Sequence, residues 1–192
     1  MLTALILALS VSGLSSVEVD QALAGQVPKH TESFVSAQGK SAGRGVGAIA
    51  IERPIAEVWA TLSRYDDRTE YIPRLKQLTI LERIGDRMRV HHEIDATVTT
   101  ARYTAWVTLD AAAYTIKWKL DQTASDNTLK DVDGGYELVS ISASRTLLVY
   151  RSYVDSGLHI SAAIQNYVAR QAIPDLLRAI KRRVESGGTW KR

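Results

Sequence analysis

The sequence predicts an α+β fold in which a curved antiparallel sheet wraps around one long C-terminal helix, with a short helix pair between the first and second strands. Three observations carry that prediction. A proline-bounded apolar segment precedes a helical apolar period over 55–65, a period of two dominates 75–155, and a helical period resumes from about 160 to 185. Helices gathered at the two ends of a run of strands, instead of alternating with them, settle on one face of an antiparallel sheet. Such a sheet, wrapped around a helix without closing on it, encloses a cavity.

The first strand is "GAIAIERP", residues 47–54, ended by Pro54 because the residue before a proline is pushed out of the helical region. Pro54 also suits the first turn of a helix, where its missing N–H is not needed. In "PIAEVWATLSRY" the apolar residues Ile55, Val58, Trp59, Leu62 and Tyr65 fall at i, i+3, i+4, i+7 and i+10, one face of a helix. A second helical turn through "DDRTEYI" is stopped by Pro73.

Beyond Pro73 the period becomes two. "LKQLTILERIGDRMRVHHEID" reads as a hairpin turning near Gly85 and Asp86, with Met88, Val90, His92 and Ile94 on one face and Arg87, Arg89, His91 and Glu93 on the other. In "TTARYTAWVTLDAAAYTIKWKLD" the inward set is Ala101, Tyr103, Ala105, Val107 and Leu109, then Tyr114, Ile116, Trp118 and Leu120, with "DAAA" as the turn. Lys117, Lys119 and Asp121 then face water. "GYELVSISAS" and "RTLLVYRSYVD" form another pair around 143–145, but both of their faces carry apolar residues and the pattern does not choose between them.

The final element runs from about Ile160 to Glu185, interrupted by Pro174, which predicts a kink or a junction between two helices. After the proline, Ile173, Leu176, Leu177, Ile180 and Val184 make one apolar stripe. Extended backward, that stripe meets the small or polar Ala162, Asn166 and Ala169, while Ile164, Tyr167 and Val168 lie opposite, with Arg170 nearby. The stripe narrows toward the N-terminal half of the helix, which leaves space between helix and sheet. The opposite stripe suits a membrane surface or a covering segment.

A chain of 192 residues fits one domain with an N-terminal extension. The charge of +3 is mild and the basic residues are scattered until Arg178, Lys181, Arg182 and Arg183, which argues against nucleic acid as a partner. There is no cysteine, which excludes disulfides and thiol catalysis. "LTALILALSVSGL" has the length of a secretory apolar region, and "ALA" at 22–24 offers small residues for cleavage before Gly25, although no basic residue precedes the run and Glu18 and Asp20 follow it. The expectation is an exported bacterial protein, periplasmic or extracellular, with a cytoplasmic protein carrying an amphipathic N-terminal helix as the alternative. The expected division is a signal peptide over 1–24, a glycine- and serine-rich flexible linker over 25–45, a ligand-binding domain over 46–186 and a tail over 187–192.

The run "AIERPIAEVWATLSRYDDRTEYIPRLKQLTILERIGDRMRV" resembles the opening of the START-like, or SRPBCC, helix-grip superfamily, which includes polyketide cyclases, coenzyme Q-binding proteins and Bet v 1-type proteins. Pro54, Val58, Trp59, Tyr65, Tyr71, Ile72 and Pro73 occupy the places of its pattern, and "YRSYVDSGLHISAAIQNYVARQAIPDLLRAIKRRVES" is similar to its last strand and closing helix. The resemblance implies a hydrophobic or amphipathic ligand, of lipid, quinone or polyketide type, held between the long helix and the sheet. It transfers no particular ligand by residue.

Candidate chemistry is sparse. Asp66 and Glu70, at i and i+4, can share a helical face as paired carboxylates do in general acid/base work, but with Glu57 and Asp67 they read more simply as the solvent face of a gate. His91 and His92 alternate across a strand, His30 lies in the linker and His159 before the last helix, so no metal-ligand spacing arises and no cofactor motif is present. "GRGVG" at 43–47 precedes a strand, the wrong side for a phosphate loop. The aromatic side chains, with their apolar bodies and polar handles, suit an amphipathic ligand.

The expected lining is therefore Trp59, Leu62, Tyr65, Tyr71 and Ile72 from the helix pair, and Met88, Val90, His92, Tyr103, Ala105, Val107, Tyr114, Ile116 and Trp118 from the sheet. Asn166, Ala169, Ile173 and Leu177 complete it from the last helix. Tyr65, Tyr71 and Pro73 are expected at the rim of the mouth. The predicted function is a non-enzymatic carrier or sequestering protein, monomeric or weakly dimeric, with a cyclase or aromatase using His92 and Tyr103 as the alternative.

Overall fold

The structure, a computed structural model, describes residues 14–35, 41–96, 99–157 and 162–192, and the side chains among these except those of 34, 35, 41 and 162–171. Helix α1 (Ser16–Leu23) is followed by strands β1 (Lys29–Val35) and β2 (Ser41–Ile51), then by helices α2 (Ile55–Leu62) and α3 (Arg68–Tyr71). Six strands follow: β3 (Leu75–Ile84), β4 (Arg87–Asp95), β5 (Thr100–Asp110), β6 (Thr115–Leu120), β7 (Asp131–Ser142) and β8 (Arg145–Asp155). Helix α4 (Ala162–Glu185) is last and contains Pro174 without dividing into two helices. All strands pair antiparallel in one sheet, in the order β1-β2-β8-β7-β6-β5-β4-β3. Among the described residues no helix is long and apolar enough to cross a membrane.

Within the expected linker over 25–45, the described residues 29–35 and 41–45 are instead strand. β1 pairs with β2 from Lys29↔Gly47 to Val35↔Ser41, so the sheet begins upstream of the expected domain start at 46. Two of the glycines that read as flexibility, Gly45 and Gly47, are packing glycines. A Cβ at Gly45 would collide with Cδ1 of Ile173, and one at Gly47 would stand 2.6 Å from Cγ2 of the same residue. The bare backbone lets α4 lie directly on β2. The "GRGVG" pattern is thereby absorbed into helix–sheet packing.

The hairpin of β3 and β4 turns where the sequence places it, with Ile84 paired to Arg87 and Gly85 at φ 58°. Tyr114 differs from its expected place in β6: it sits in the turn before that strand at φ 51°. Asp121 differs as well. It points to the outer face of the sheet but is buried, accepting from Arg89 Nε at 2.6 Å and from Thr123 Oγ1 at 2.6 Å.

The doubled apolar pattern of β7 and β8 now has a cause. Tyr136, Leu138 and Leu148 face the inner core with Ile49, Val58, Leu62, Met88, Val107, Leu177 and Ile180. Leu147 and Val149 face outward, where Leu14, Val19 and Ala22 of the N-terminal segment cover them together with Ala48. Helix α1 is fixed there by a reciprocal cap between Ser15 and Glu18, and Arg145 Nη2 donates to the Leu23 carbonyl at 2.5 Å. The region expected as a leader thus contributes a packed helix to the outer face.

Candidate functional site

The strand register builds the inner wall. Val90 pairs with Ala105 and His92 with Tyr103 across β4 and β5, Val107 with Trp118 across β5 and β6, and Ile116 with Tyr136 across β6 and β7. Tyr136 is in turn paired with Tyr150 of β8. Because side chains alternate along a strand, these residues share the face that α2 and α4 cover. Gly134 of β7, opposite Trp118, is required by closeness: a Cβ there would stand 2.7 Å from the indole ring. The space so released holds an aromatic group in which Trp118 packs edge-on to Tyr136 at 5.1 Å and lies 5.9 Å from Tyr150. On the other flank His92 stacks on Tyr103 at 4.8 Å.

The polar groups of this interior are under-satisfied. Among the described residues, His92 Nδ1, the Tyr71 hydroxyl and Arg68 Nε are buried without a hydrogen-bond partner. Arg68, 6% exposed, donates through Nη2 to the Leu62 carbonyl at 2.6 Å and places its guanidinium 3.5 Å from the centre of the Tyr65 ring. Burial, reinforced by the charge of Arg68 and then by His91, pushes His92 down to about 3. Burial likewise raises the Tyr103 hydroxyl well above the ordinary phenol range. At neutral pH both rings of the stacked pair are therefore uncharged.

The expected lining divides into three groups. Leu62, Tyr65, Tyr71, Met88, Val90, Val107, Ile116, Ile173 and Leu177 belong to the inner core, with Trp59, Ile72, Tyr114 and Trp118 packed against it. Ala105 is buried beside Val90, and His92 and Tyr103 stand together. Asn166 and Ala169 lie outside the described side chains, as do the opposite-face residues Ile164, Tyr167, Val168 and Arg170 and the residue His159.

Tyr65 and Tyr71 are fully buried and do not form the expected rim, because Arg68 and Arg183 lie over their rings and Trp190 and the tail close over α3 from outside. Arg68, Tyr136 and Tyr150 were missed. The signal for Arg68 is present, since Tyr65, Arg68 and Tyr71 recur every three residues and so share a face, but its acidic neighbours make it read as solvated charge.

The acidic cluster has a structural task. Arg183, 4% exposed, donates from Nη2 to Asp67 Oδ2 at 2.8 Å and to Glu70 Oε2 at 2.9 Å, and from Nη1 to the Trp190 carbonyl at 2.9 Å. Lys191 Nζ adds a bond to Glu70 Oε1 at 2.9 Å, and this bond, together with that from Arg183, holds the Glu70 carboxyl below the usual carboxylate range. Asp66 pairs with Arg83 at 3.0 Å on the exposed side. His91 points the opposite way from His92, into a shallow polar groove with Arg89, Thr104 and Asp126.

A curved antiparallel sheet gripping a C-terminal helix over an aromatic interior defines the START-like, helix-grip class of proteins. Within that class, residues 51–181 match the family model described as "Polyketide cyclase / dehydrase and lipid transport", and the chain belongs to that family. No curated protein sequence matches. Among solved structures, the chain is similar to the Zhui aromatase/cyclase from Streptomyces sp. R1128, at 17% identity and TM-score 0.64, over 81% of this chain and 94% of that one. It is similar to a STAR-related lipid transfer protein from Xanthomonas axonopodis at 12% identity and TM-score 0.63, over 80% and 98% of the two chains. The human StAR-related lipid transfer protein 5 aligns at 10% identity and TM-score 0.62, over 90% and 99%. These likenesses establish the fold.

Proposed function

We propose that this protein is a carrier or sequestering protein for a hydrophobic or amphipathic small molecule, of lipid, quinone or polyketide type, held between the sheet and α4. The observation that carries this reading is the composition of the interior. Aliphatic strand faces and three adjacent aromatic rings enclose a few buried polar atoms that lack protein partners. Buried polar groups are nearly always paired, so unpaired ones facing an apolar enclosure suit an amphipathic guest. Burial of a chain at about 0.8 kcal/mol per methylene supplies affinity, and the polar atoms set orientation. Names of structural neighbours that include lipid transfer are consistent with it.

The alternative is turnover by the stacked His92 and Tyr103, in the manner expected of a cyclase or aromatase. General acid–base catalysis is most effective when the pKa lies near the working pH. A histidine lowered to about 3 is a weak base, and a phenol raised by burial is a weak acid, which favours carriage over catalysis. The test is mass spectrometry of an organic extract of the purified full-length protein. A stoichiometric apolar compound is expected; an empty extract together with no uptake of a fluorescent lipid overturns the reading. Loss of turnover of an aromatic polyketide precursor on His92→Ala would move the conclusion to the enzyme.

A further inference from the structure

Arg68 is the first residue of α3, yet its guanidinium turns inward. It lies on the Tyr65 ring and 5.6 Å from the centre of the Tyr136 ring. One N–H is spent on the Leu62 carbonyl, Nε is spent on nothing, and among the described residues no carboxylate lies within ion-pair distance of it. The adjacent Asp67 makes no hydrogen bond to it: Oδ2 accepts from Arg183 on the outer side of the helix, and its charge reaches Arg68 only through space. A guanidinium stays charged in proteins, so the interior contains a fixed positive charge that makes no ion-pair contact with a carboxylate among the described residues and feels that of Asp67 only at longer range.

Aromatic faces attract such a cation, but they do not neutralise it or accept its remaining N–H groups. A carboxylate does both, since the guanidinium fork matches its two oxygens. The Tyr71 hydroxyl, also unpartnered, offers a further donor, and both groups belong to an interior that is otherwise mostly apolar.

We propose that Arg68 anchors the carboxylate of an otherwise hydrophobic ligand, which therefore sits in the sheet interior acid end inward; this rests on the carrier reading above. The depressed titration of His92 is consistent with the uncompensated charge that Arg68 contributes there. A neutral ester or alcohol of the same chain would leave that charge as unpaired as it is in the empty protein, which makes charge the basis of selectivity.

The test uses cis-parinaric acid and its methyl ester, two probes of equal chain whose fluorescence rises on leaving water, titrated into the full-length protein at pH 7.5. The wild-type protein is expected to bind the acid at least tenfold more tightly than the ester. Arg68→Met is expected to weaken the acid at least tenfold and the ester less than threefold, and Arg68→Lys to retain part of the preference. Equal affinity for acid and ester in the wild-type protein overturns the anchor while the carrier reading stands. Binding of neither probe overturns the carrier reading and the anchor with it. The wild-type comparison decides the matter even where Arg68→Met does not fold.

Discussion

Gly47→Ala is expected to destabilise the protein through a single, locatable collision. A Cβ at this position would stand 2.6 Å from Ile173 Cγ2, 3.1 Å from Leu177 Cδ1 and 3.4 Å from the Pro28 carbonyl oxygen. Cγ2 is fixed by χ1, which is nearly locked for a β-branched residue in a helix, so relief requires α4 or β2 to move. Overpacking of this kind costs about 1–3 kcal/mol. The reduced freedom of the unfolded chain returns about 0.4–1 kcal/mol for a Gly→Ala change, leaving a net loss of about 1–2 kcal/mol. Gly45→Ala meets the same residue at Cδ1, the end of the side chain, and a χ2 adjustment of about 0.5–1.5 kcal/mol relieves it. Its net cost is therefore centred near zero and reaches at most about 1 kcal/mol. Ile173→Val removes Cδ1 and keeps Cγ2. In that background Gly45→Ala should become neutral or stabilising, whereas Gly47→Ala should keep its full cost. Urea unfolding followed by tryptophan fluorescence and far-UV circular dichroism measures each corner of the two double-mutant cycles. Equal costs for the two glycine changes, or rescue of Gly47→Ala by Ile173→Val, would refute the packing argument.

His92 has a folded pKa of about 3 against 6.5 for the free side chain, so the unfolded state binds the proton first; stability is complete above pH 6.5 and falls toward pH 3, by up to about 1.4 kcal/mol per pH unit. His92→Gln should flatten the limb between pH 6.5 and 4.5, above the range where carboxylates titrate, and an unchanged limb would assign the loss to other groups. Arg183→Met breaks the bonds to Asp67, Glu70 and the Trp190 carbonyl, and should cost about 2 kcal/mol because one partner of a partly buried cluster is removed. Limited proteolysis should then cut within 186–192, and a protected tail would show that the clasp is held by other contacts. Deletion of residues 1–24 uncovers Ala48, Leu147 and Val149, and should lower stability by about 4 kcal/mol from the lost burial of Leu14, Val19 and Ala22. Intact-mass measurement of protein from its native host decides between retention of this helix and the cleavage before Gly25 that export would entail.

What the sequence made legible was decided by period and punctuation. The alternation of Met88, Val90 and His92 against Arg87, Arg89 and His91 gives the inner face directly, because only one side of that hairpin is covered by protein. The same logic stalls at Leu147, Leu148 and Val149, where consecutive apolar residues read as ambiguity and in fact report that α4 and α1 cover opposite faces of β8. Glycine misled for a related reason. Gly45 and Gly47 have the composition of a linker, and no local rule separates a glycine chosen for freedom from one chosen for closeness; Ile173, more than a hundred residues away, makes the distinction.

Arg68 exposes the deeper limit. In the string Asp66, Asp67, Arg68, Thr69, Glu70, Tyr71 the arginine stands within two residues of three carboxylates, which is how a solvated surface turn reads. The fold separates them by direction. The four-residue helix and the residue that precedes it present Asp67 and Glu70 to the side where Arg183 and Lys191 come down from α4 and the tail, and Arg68 and Tyr71 to the interior. The carboxylates that could have paired with Arg68 are thus turned toward cations from the far end of the chain. This exchange of partners both fastens the segment over the core and leaves one positive charge inside it. A chain assembling a wholly apolar core would gain by placing methionine or leucine at 68, since an uncompensated buried charge is among the costliest groups a fold can hold. The position of the arginine is accordingly better explained by what the interior receives than by what holds it together.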